Sequence, residues 1–275
     1  MTQNIGGAPK AERSSDLATR AIAGIVMIAV AVAALYAGGR PFWLLTTAAA
    51  LPMMAEWSGL MRLRRLRISL ATLTVAVVML LAGSALGLFQ FLVSSAHSVA
   101  EVAGWAMAAG LALALATARP RLGAGVAYVT LPAIALLFLR AETQGLGLAL
   151  WTFVVVWGTD IGAYFAGRGI GGPKLSPAIS PNKTWAGLGG GVVVALLAGY
   201  VLATSLSLPG PLLWLGAPMA VLAQIGDLFE SWLKRRAGVK DSGRLLPGHG
   251  GVLDRLDGLV PVAIAIAALR VLGLL

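Results

Sequence analysis

The segment from Ser231 to Asp257 holds most of the side chains in this sequence that could do chemistry. Acidic and basic residues alternate there with glycine-rich turns, and Asp227 and Glu230 come directly before it. Carboxylates bind metal ions, and basic residues beside exposed backbone N–H groups bind phosphate. The segment therefore predicts a site that holds a metal ion and phosphate together. Its charged residues are Lys234, Arg235, Arg236, Lys240, Asp241, Arg244, Asp254, Arg255 and Asp257, with His249 between two glycines.

The residue inventory restricts the kind of metal that such a site could hold. The sequence has no cysteine, so disulfides, thiolate zinc sites and cysteine nucleophiles are excluded. Its only histidines are His97 and His249, which excludes a site made of several histidines. Carboxylate and backbone oxygens remain as ligands, and these favour a hard ion such as Mg²⁺.

The composition is that of an integral membrane protein. Hydrophobic residues make up 58% of the chain and its mean hydropathy is +0.86. Only 12% of residues are charged, whereas soluble domains have about 25%. The net charge of +10 is then better explained by basic cytoplasmic loops and contact with anionic lipid than by nucleic acid binding.

Hydropathy predicts an all-α, polytopic helical bundle. A helix needs about 20 apolar residues to cross a bilayer, and we predict about nine transmembrane helices on that rule. They are residues 21–38, 41–60, 68–88, 99–118, 121–139, 147–167, 185–206, 210–229 and 256–274.

Loop charge supports this count and predicts a cytoplasmic N-terminus. With alternating sides, all of the 21 lysines and arginines except Arg40, Arg140 and Arg270 fall on the cytoplasmic side, as the positive-inside rule expects. Two long polar loops, 168–184 and 230–255, then share that side. We accordingly divide the chain into a cytoplasmic tail (1–20), a transmembrane scaffold of about five helices (21–140) and a catalytic transmembrane domain of about four helices (141–275).

Asp160 and the segment Ser180–Thr184 are further candidates outside the polar segment. Asp160 lies within the sixth predicted span, where a carboxylate usually faces a cavity, a partner or an ion. The alternative is that it pairs with Arg168 or caps a neighbouring helix. Thr184 is placed to cap the seventh helix, and a helix start beside Lys183 favours phosphate binding. Capping alone would also explain that motif, and no Walker A spacing is present.

Carboxylates also border the polar segment on both sides. Asp227 and Glu230 share one helical face at the end of the eighth predicted span, and Asp254 and Asp257 share a face if the ninth begins as a helix. A basic loop that only sets membrane orientation would explain the lysines and arginines. It would not explain the acids, because acids bring no benefit in such a loop.

Three stretches of the sequence resemble a known family. Ser231-x-x-Lys234-Arg235, Lys240-Asp241 and Pro247-x-His249-Gly250-Gly251-Val252-x-Asp254-Arg255-Leu256-Asp257 are similar to the hallmark motif of the phosphatidate cytidylyltransferases (CDP-diacylglycerol synthases). GTDIGAYFAGR and SPNKTWAG resemble upstream segments of the same family, so the likeness covers roughly residues 151–260. The first half is similar only in being a series of membrane spans.

The resemblance implies a nucleotidyltransferase that converts CTP and phosphatidate into CDP-diacylglycerol and pyrophosphate. Mg²⁺, with a second cation as an option, is then expected on three aspartates. The remaining site residues are expected to hold or approach the phosphates of the two substrates. The metal ligands are Asp227, Asp254 and Asp257; the catalytic residues are Asp227, Lys234, Arg235, Lys240, His249 and Arg255; and the substrate-binding residues are Asp160, Ser180, Lys183, Arg244, Gly250 and Gly251.

Other functions remain open at this point. A relative could act on another lipid, as a CDP-archaeol synthase or a CTP-dependent polyprenol kinase, and an ion-coupled transporter or a noncatalytic membrane scaffold are more distant alternatives. The expected partners are CTP, phosphatidate and membrane lipids, with a homodimer as a further candidate and no nucleic acid. We expect the protein in a bacterial inner membrane with its site facing the cytoplasm.

Overall fold

Helices form almost all of the structure, as the sequence predicts. The computed structural model describes residues 10–88, 97–243, 245 and 250–275, with side chains described from residue 24 onward. The elements in chain order are α1 (Lys10–Ala37), α2 (Gly39–Leu60), α3 (Arg65–Ala85), α4 (Val99–Thr117), α5 (Pro120–Ala141), α6 (Gly145–Gly169), β1 (Lys174–Ser176), β2 (Ser180–Thr184), α7 (Trp185–Ser205), α8 (Leu212–Ala237), α9 (Leu253–Leu256) and α10 (Leu259–Val271).

Six of the described helices, α3 to α8, are long and apolar enough to cross a membrane. The apolar stretch Gly24–Ala37 of α1 and the whole of α10 are shorter. Each predicted span overlaps one helix, so the prediction of a membrane-spanning helical bundle is confirmed. The exact count of nine spans is not.

Two helices extend beyond their predicted bounds. α1 begins at Lys10, inside the predicted tail, because residues 10–20 are mostly good helix formers. α8 continues to Ala237, so Lys234 and Arg235 lie on a helix instead of in a loop. Basic residues in a last turn interact favourably with the helix dipole, and α8 ends only where Gly238 adopts a left-handed conformation with φ 73°.

The predicted loop 168–184 contains a small hairpin that the sequence did not predict. β1 and β2 pair antiparallel, with Lys174 opposite Thr184 and Ser176 opposite Ser180. The prediction that Thr184 caps the next helix is confirmed, since its Oγ1 accepts a hydrogen bond of 3.0 Å from the Gly187 N–H. β2 therefore leads directly into α7 and has a fixed direction at the membrane surface.

Glycines allow several helices to approach at backbone distance. A side chain at Gly162 of α6 would collide with the Gly190 carbonyl of α7. A side chain at Gly226 of α8 would collide with the Asp257 carbonyl and with Pro261. Small residues permit such close packing between membrane helices, and the second contact places the start of α10 against α8.

Gly226→Ala should therefore destabilise the protein and displace the start of α10. The added methyl group overlaps the backbone, so we expect a cost of about 1–3 kcal/mol, seen as a lower thermal unfolding midpoint in detergent. Gly189→Ala on α7 is the matched control, because nothing lies within 4 Å of a Cβ at that position. Equal midpoints for both variants would contradict the close contact.

The three basic residues outside the predicted charge bias all have structural partners. Arg40 donates to the Leu88 carbonyl at 3.2 Å, and Arg140 donates to the Leu35 carbonyl at 2.7 Å. Arg270 donates to the Glu142 carboxylate at 2.8 Å. Their positions follow from helix packing and not from membrane orientation.

The basic loops between helices lie at the end of the bundle opposite to these three arginines. Trp57 of α2 donates to the Arg121 carbonyl at 2.9 Å, and Arg62 donates to the Ala237 carbonyl at 3.2 Å. These contacts tie the end of α2 to the start of α5 and the end of α8. We call this end, where the hairpin and α9 also lie, the basic face.

Candidate active site

Asp227 is held by a residue from the hairpin. Its Oδ2 forms an ion pair with Nζ of Lys183, and both side chains are largely shielded, with 32% and 17% of their surface exposed. Ser231 donates a long hydrogen bond of 3.4 Å to Oδ1 of the same carboxylate. Asp227, which borders the polar segment, and Lys183, in the candidate segment Ser180–Thr184, therefore meet at the end of α8.

Two further aspartates lie near this ion pair. Asp160 of α6 and Asp257, between α9 and α10, are close enough to Asp227 and Lys183 to interact electrostatically. Oδ1 of Asp257 accepts a hydrogen bond of 2.8 Å from the Gly258 N–H. We call Asp160, Asp227, Asp257 and Lys183 the acid cluster. If all four are ionised, it carries two more negative charges than positive ones.

The acid cluster fits a hard divalent cation in its chemistry. Carboxylate oxygens and an excess of negative charge are what Mg²⁺ prefers, and proteins commonly hold it by one or two carboxylates together with water and substrate phosphates. Within residues 10–88, 97–243, 245 and 250–275 no three His, Cys, Asp or Glu side chains form a complete metal cage. Magnesium binding by Asp227 and Asp257 therefore stays a prediction in which phosphate oxygens complete the coordination.

Asp254 lies in a different set of contacts. Its carboxylate accepts from Nζ of Lys234 at 2.8 Å, from the Ser242 N–H at 3.0 Å and from the Gly251 N–H at 2.8 Å. Burial acts to raise the pKa of Asp254, but hydrogen bonds with Glu230, Lys234 and Gly251 outweigh it and lower the pKa to about 2. The ionised Asp254 thus organises the loop, and its metal-ligand role stays a prediction.

Lys234 forms ion pairs with both Asp254 and Glu230, which lies on the same helix, α8. Its Nζ lies 2.6 Å from Oε2 of Glu230, one turn earlier, and 2.8 Å from Oδ1 of Asp254. The side chains of the three residues are 15%, 0% and 5% exposed in the order Lys234, Glu230, Asp254. A lysine between two buried carboxylates fixes α9 against α8.

Glu56 of α2 is a site residue that the sequence reasoning missed. Its carboxylate accepts from the Val252 N–H at 3.0 Å, the Leu253 N–H at 2.8 Å and the Ser242 hydroxyl at 3.1 Å. It thereby caps α9 from the N-terminal half of the chain. A signal was present, because Glu56 is the only acidic residue between positions 17 and 100 and lies in an apolar helix.

The two predicted glycines leave room for these carboxylates. Gly250 has φ +83°, and a Cβ there would lie 2.8 Å from Oδ2 of Asp254. A Cβ at Gly251 would collide with the Ser242 hydroxyl and with Oε2 of Glu56. The close backbone approach expected at this turn therefore serves the protein's own acids, and the substrate contact remains a prediction.

The remaining described residues of the predicted site lie at the end of α8, just beyond it, in α9 and in β2. Arg235 is exposed and donates to the Ile179 carbonyl at 3.2 Å, which connects α8 to the hairpin. Arg255 is exposed and interacts electrostatically with Asp160, whereas Lys240 is exposed beyond the end of α8. Ser180 lies in β2. Arg244 and His249 lie outside the described residues.

Glu56→Gln should lower turnover by roughly tenfold or more, because small misplacements of site residues have effects of that size or larger. The amide replaces one accepting oxygen by a donor that faces an N–H or hydroxyl group, which loosens α9. A lower kcat with little change in KM for CTP would identify Glu56 as a positioning residue. Glu101→Gln is the control, since Glu101 makes its hydrogen bonds within the capping box of α4; an equal loss in both variants would contradict the role.

Comparison with known proteins identifies relatives along nearly the whole chain. The model of the family described as "Cytidylyltransferase family" matches residues 18–272. A protein of Brucella suis named phosphatidate cytidylyltransferase is 40% identical over 260 residues, which cover 90% of this chain and 91% of that protein. Proteins with the same name from Bacillus subtilis and Haemophilus influenzae are 48% and 44% identical over 43% and 42% of this chain and 45% and 43% of their own lengths.

Proposed function

Because the chain belongs to the cytidylyltransferase family, we propose that it transfers the cytidylyl group of CTP to phosphatidate, giving CDP-diacylglycerol and pyrophosphate. The observation that carries this proposal is the 40% identity with a phosphatidate cytidylyltransferase over 90% of the chain. The acid cluster, between basic residues at the ends of membrane helices, supports it. A lipid phosphate and a water-soluble nucleotide can both reach such a position.

The reaction needs alignment and charge neutralisation more than proton transfer. An oxygen of the phosphatidate phosphate, already ionised at neutral pH, attacks the α-phosphorus of CTP. The new P–O bond forms as the bond from the α-phosphorus to the α,β-bridging oxygen breaks, and pyrophosphate leaves. Positioning of the reacting groups can remove about 7 kcal/mol or more of barrier in favourable cases, so no nucleophilic serine or cysteine is required.

The residues of the site have distinct tasks in this mechanism. Asp227 and Asp257 are the residues that would hold Mg²⁺, which would screen the phosphates and stabilise the leaving pyrophosphate. Lys183 of the acid cluster, Arg255, which interacts electrostatically with Asp160, and Arg235 at the end of α8 would orient the two anionic substrates. Lys240, and the predicted Arg244 and His249, would complete the phosphate contacts.

The membrane arrangement follows from the charge distribution. We propose nine spans with the N-terminus and the basic face in the cytoplasm, where CTP is available, in a bacterial inner membrane. The bias of lysine and arginine towards that face supports this orientation. We keep the homodimer as a prediction that crosslinking in membranes would test.

One assay tests the proposed function against its alternatives. Purified protein is incubated with phosphatidate, Mg²⁺ and CTP labelled at the α-phosphate, and the expected result is label in the lipid with release of one pyrophosphate for each lipid labelled. Label that stays in soluble CDP would indicate a lipid kinase. If no label enters phosphatidate but label enters an archaeal-type ether lipid, the substrate proposal is wrong, and lack of turnover with every lipid would favour a transporter or scaffold.

A further inference from the structure

Apart from the acid cluster, a polar pocket opens on the basic face. It has a volume of about 990 Å³ and is formed by the end of α2, the connection between α4 and α5, and the end of α8. Its size is at the upper end of the range for small-molecule sites. Among the described residues that line it there is no aspartate or glutamate. We call it the arginine pocket after the five side chains that line it, Arg62, Arg119, Arg121, Arg235 and Arg236.

Helix α8 separates this pocket from the acid cluster. Successive residues of a helix are about 100° apart, so Asp227, Glu230 and Lys234 lie on one face. Trp232 and Arg236, which line the arginine pocket, lie on the opposite face. Arg235 lies on the side of α8 between these two faces and borders both sites. The rest of the pocket is separate from the proposed catalytic site.

The positive charge in the arginine pocket has no acidic counterpart in the part of the chain that the structure describes. Within the described residues Arg62 and Arg235 donate to backbone carbonyls alone, and the Arg236 guanidinium lies 5.0 Å from the centre of the Trp232 ring. Neither Arg119 nor Arg121 forms an ion pair with a described carboxylate. Like charges gathered in this way repel one another and destabilise the folded state unless an anion binds.

The backbone at the pocket adds to this preference for an anion. Arg119 is the N-cap residue of α5 and Arg121 lies in its first turn. A cation in the first turn of a helix opposes the helix dipole, whereas an anion there is favoured by the dipole and by free N–H groups. The unfavourable position of Arg119 and Arg121 at this helix start is explained if a bound anion lies between their side chains and the first turn of α5.

The uncharged part of the pocket matches a membrane lipid. Trp57, Phe229 and Trp232 form a continuous aromatic wall, with ring centres 6.4 Å and 5.9 Å apart in that order, and Leu60 and Leu233 extend it. The pocket lies at the ends of helices that span the bilayer, where aromatic and basic side chains contact the headgroup region. Basic pockets between membrane helices at this level are typical sites for anionic headgroups.

We propose that the arginine pocket binds the phosphate headgroup of an anionic phospholipid of the surrounding leaflet, as a site distinct from the one at which CTP reacts. The arginines hold the phosphate and the aromatic wall packs against the glycerol and the first carbons of the acyl chains. The bound lipid neutralises the repulsion between α2, α5 and α8.

The test compares lipid binding by the delipidated full-length protein and a pocket variant, Arg62→Gln with Arg119→Gln and Arg121→Gln. Native mass spectrometry with phosphatidylglycerol and with phosphatidylcholine of the same chains measures the two affinities. Each basic residue near an anionic headgroup contributes on the order of 1 kcal/mol, so the pocket variant, which lacks three, should bind phosphatidylglycerol on the order of 100-fold more weakly. Its binding of phosphatidylcholine should be unchanged.

A matched control distinguishes lipid binding in the pocket from lipid binding to the general positive charge of the basic face. Arg64→Gln with Arg65→Gln and Arg67→Gln removes the same charge from the same face but from residues that do not line the pocket. This control variant should keep the affinity of the wild type for phosphatidylglycerol. An equal loss in both variants would overturn the proposal, as would wild-type protein that does not prefer phosphatidylglycerol.

Soluble anions are the competing occupant. If inorganic tripolyphosphate binds the lipid-free protein in a manner that depends on the three pocket arginines, and phosphatidylglycerol does not displace it, the occupant is a soluble polyphosphate and the lipid proposal is wrong.

Should the pocket variant fail to purify as a monodisperse protein, phenylglyoxal footprinting of the wild type tests the lipid proposal instead. Phosphatidylglycerol must then protect Arg62, Arg119 and Arg121 and leave Arg64 and Arg65 reactive. None of these measurements depends on catalysis, so they stand apart from the cytidylyl transfer assay.

Discussion

Asp227→Asn is expected to abolish cytidylyl transfer, with a loss of roughly 10²–10³-fold or more, as when a group that stabilises developing charge is removed. The substitution keeps the shape of the side chain and an oxygen for Ser231, but it removes the charge that pairs with Lys183. It also weakens the attraction of the acid cluster for Mg²⁺. Initial rates at several Mg²⁺ concentrations, measured with CTP and phosphatidate in mixed micelles, provide the test.

The Asp227→Asn experiment needs evidence that the fold survives. The thermal unfolding midpoint should stay close to that of the wild type, because the substituted side chain is partly exposed and nearly isosteric. Glu142→Gln, which neutralises an acid paired with Arg270, controls for loss of one carboxylate elsewhere and should retain most of the activity. Near-normal turnover by Asp227→Asn would remove Asp227 from the set of metal ligands.

Lys234→Met should have the largest effect on stability. It leaves the carboxylates of Glu230 and Asp254 buried without their shared cation, and breaking a buried ion pair costs about 3–5 kcal/mol. For a protein of this size such a change should lower the unfolding midpoint by roughly 10 °C. The measurement is a thermal melt of the purified protein in detergent.

A double variant distinguishes the structural role of Lys234 from its predicted catalytic one. Adding Glu230→Gln to Lys234→Met replaces the fully buried carboxyl group that has lost its cation by an amide and should recover part of the lost stability. If stability recovers and activity does not, Lys234 also acts on the substrate phosphates. Lys174→Met, at an exposed residue of β1, is the control for loss of a lysine. A Lys234→Met midpoint no lower than that control would show that the buried ion pairs are not needed.

Membrane helices were predictable from local sequence because each is a long apolar run. The end of α8 was not, since Lys234 and Arg235 suit both a basic loop and a last helical turn. Hydropathy also could not find the hairpin β1–β2, because prolines and glycines indicate only that the helix stops. In such cases the deciding contribution comes from tertiary contacts, such as that of Arg235 with the hairpin.

The candidate site was predictable in its location and less so in its internal pairing. Asp227 and Lys183 were both predicted as site residues on the cytoplasmic side, and the structure pairs them with each other. Asp254 and Asp257 were treated as equivalent because they are three residues apart, yet Asp254 contacts Lys234 while Asp257 lies near Asp227. The spacing of residues along the chain shows which of them share a helix face. It does not show which residues of other elements each carboxylate contacts.

The contact of Glu56 with α9 has a consequence for how this protein could be divided or recombined. The N-terminal half had been assigned as a scaffold, yet it supplies the carboxylate that caps α9 beside Asp254 and Asp257. A chimaera that takes its first five helices from another protein would need an acid at the equivalent of Glu56 to hold α9 in place. Residues 141–275 expressed alone would lack that cap, so co-expression of the two halves should restore activity only where the N-terminal half carries it.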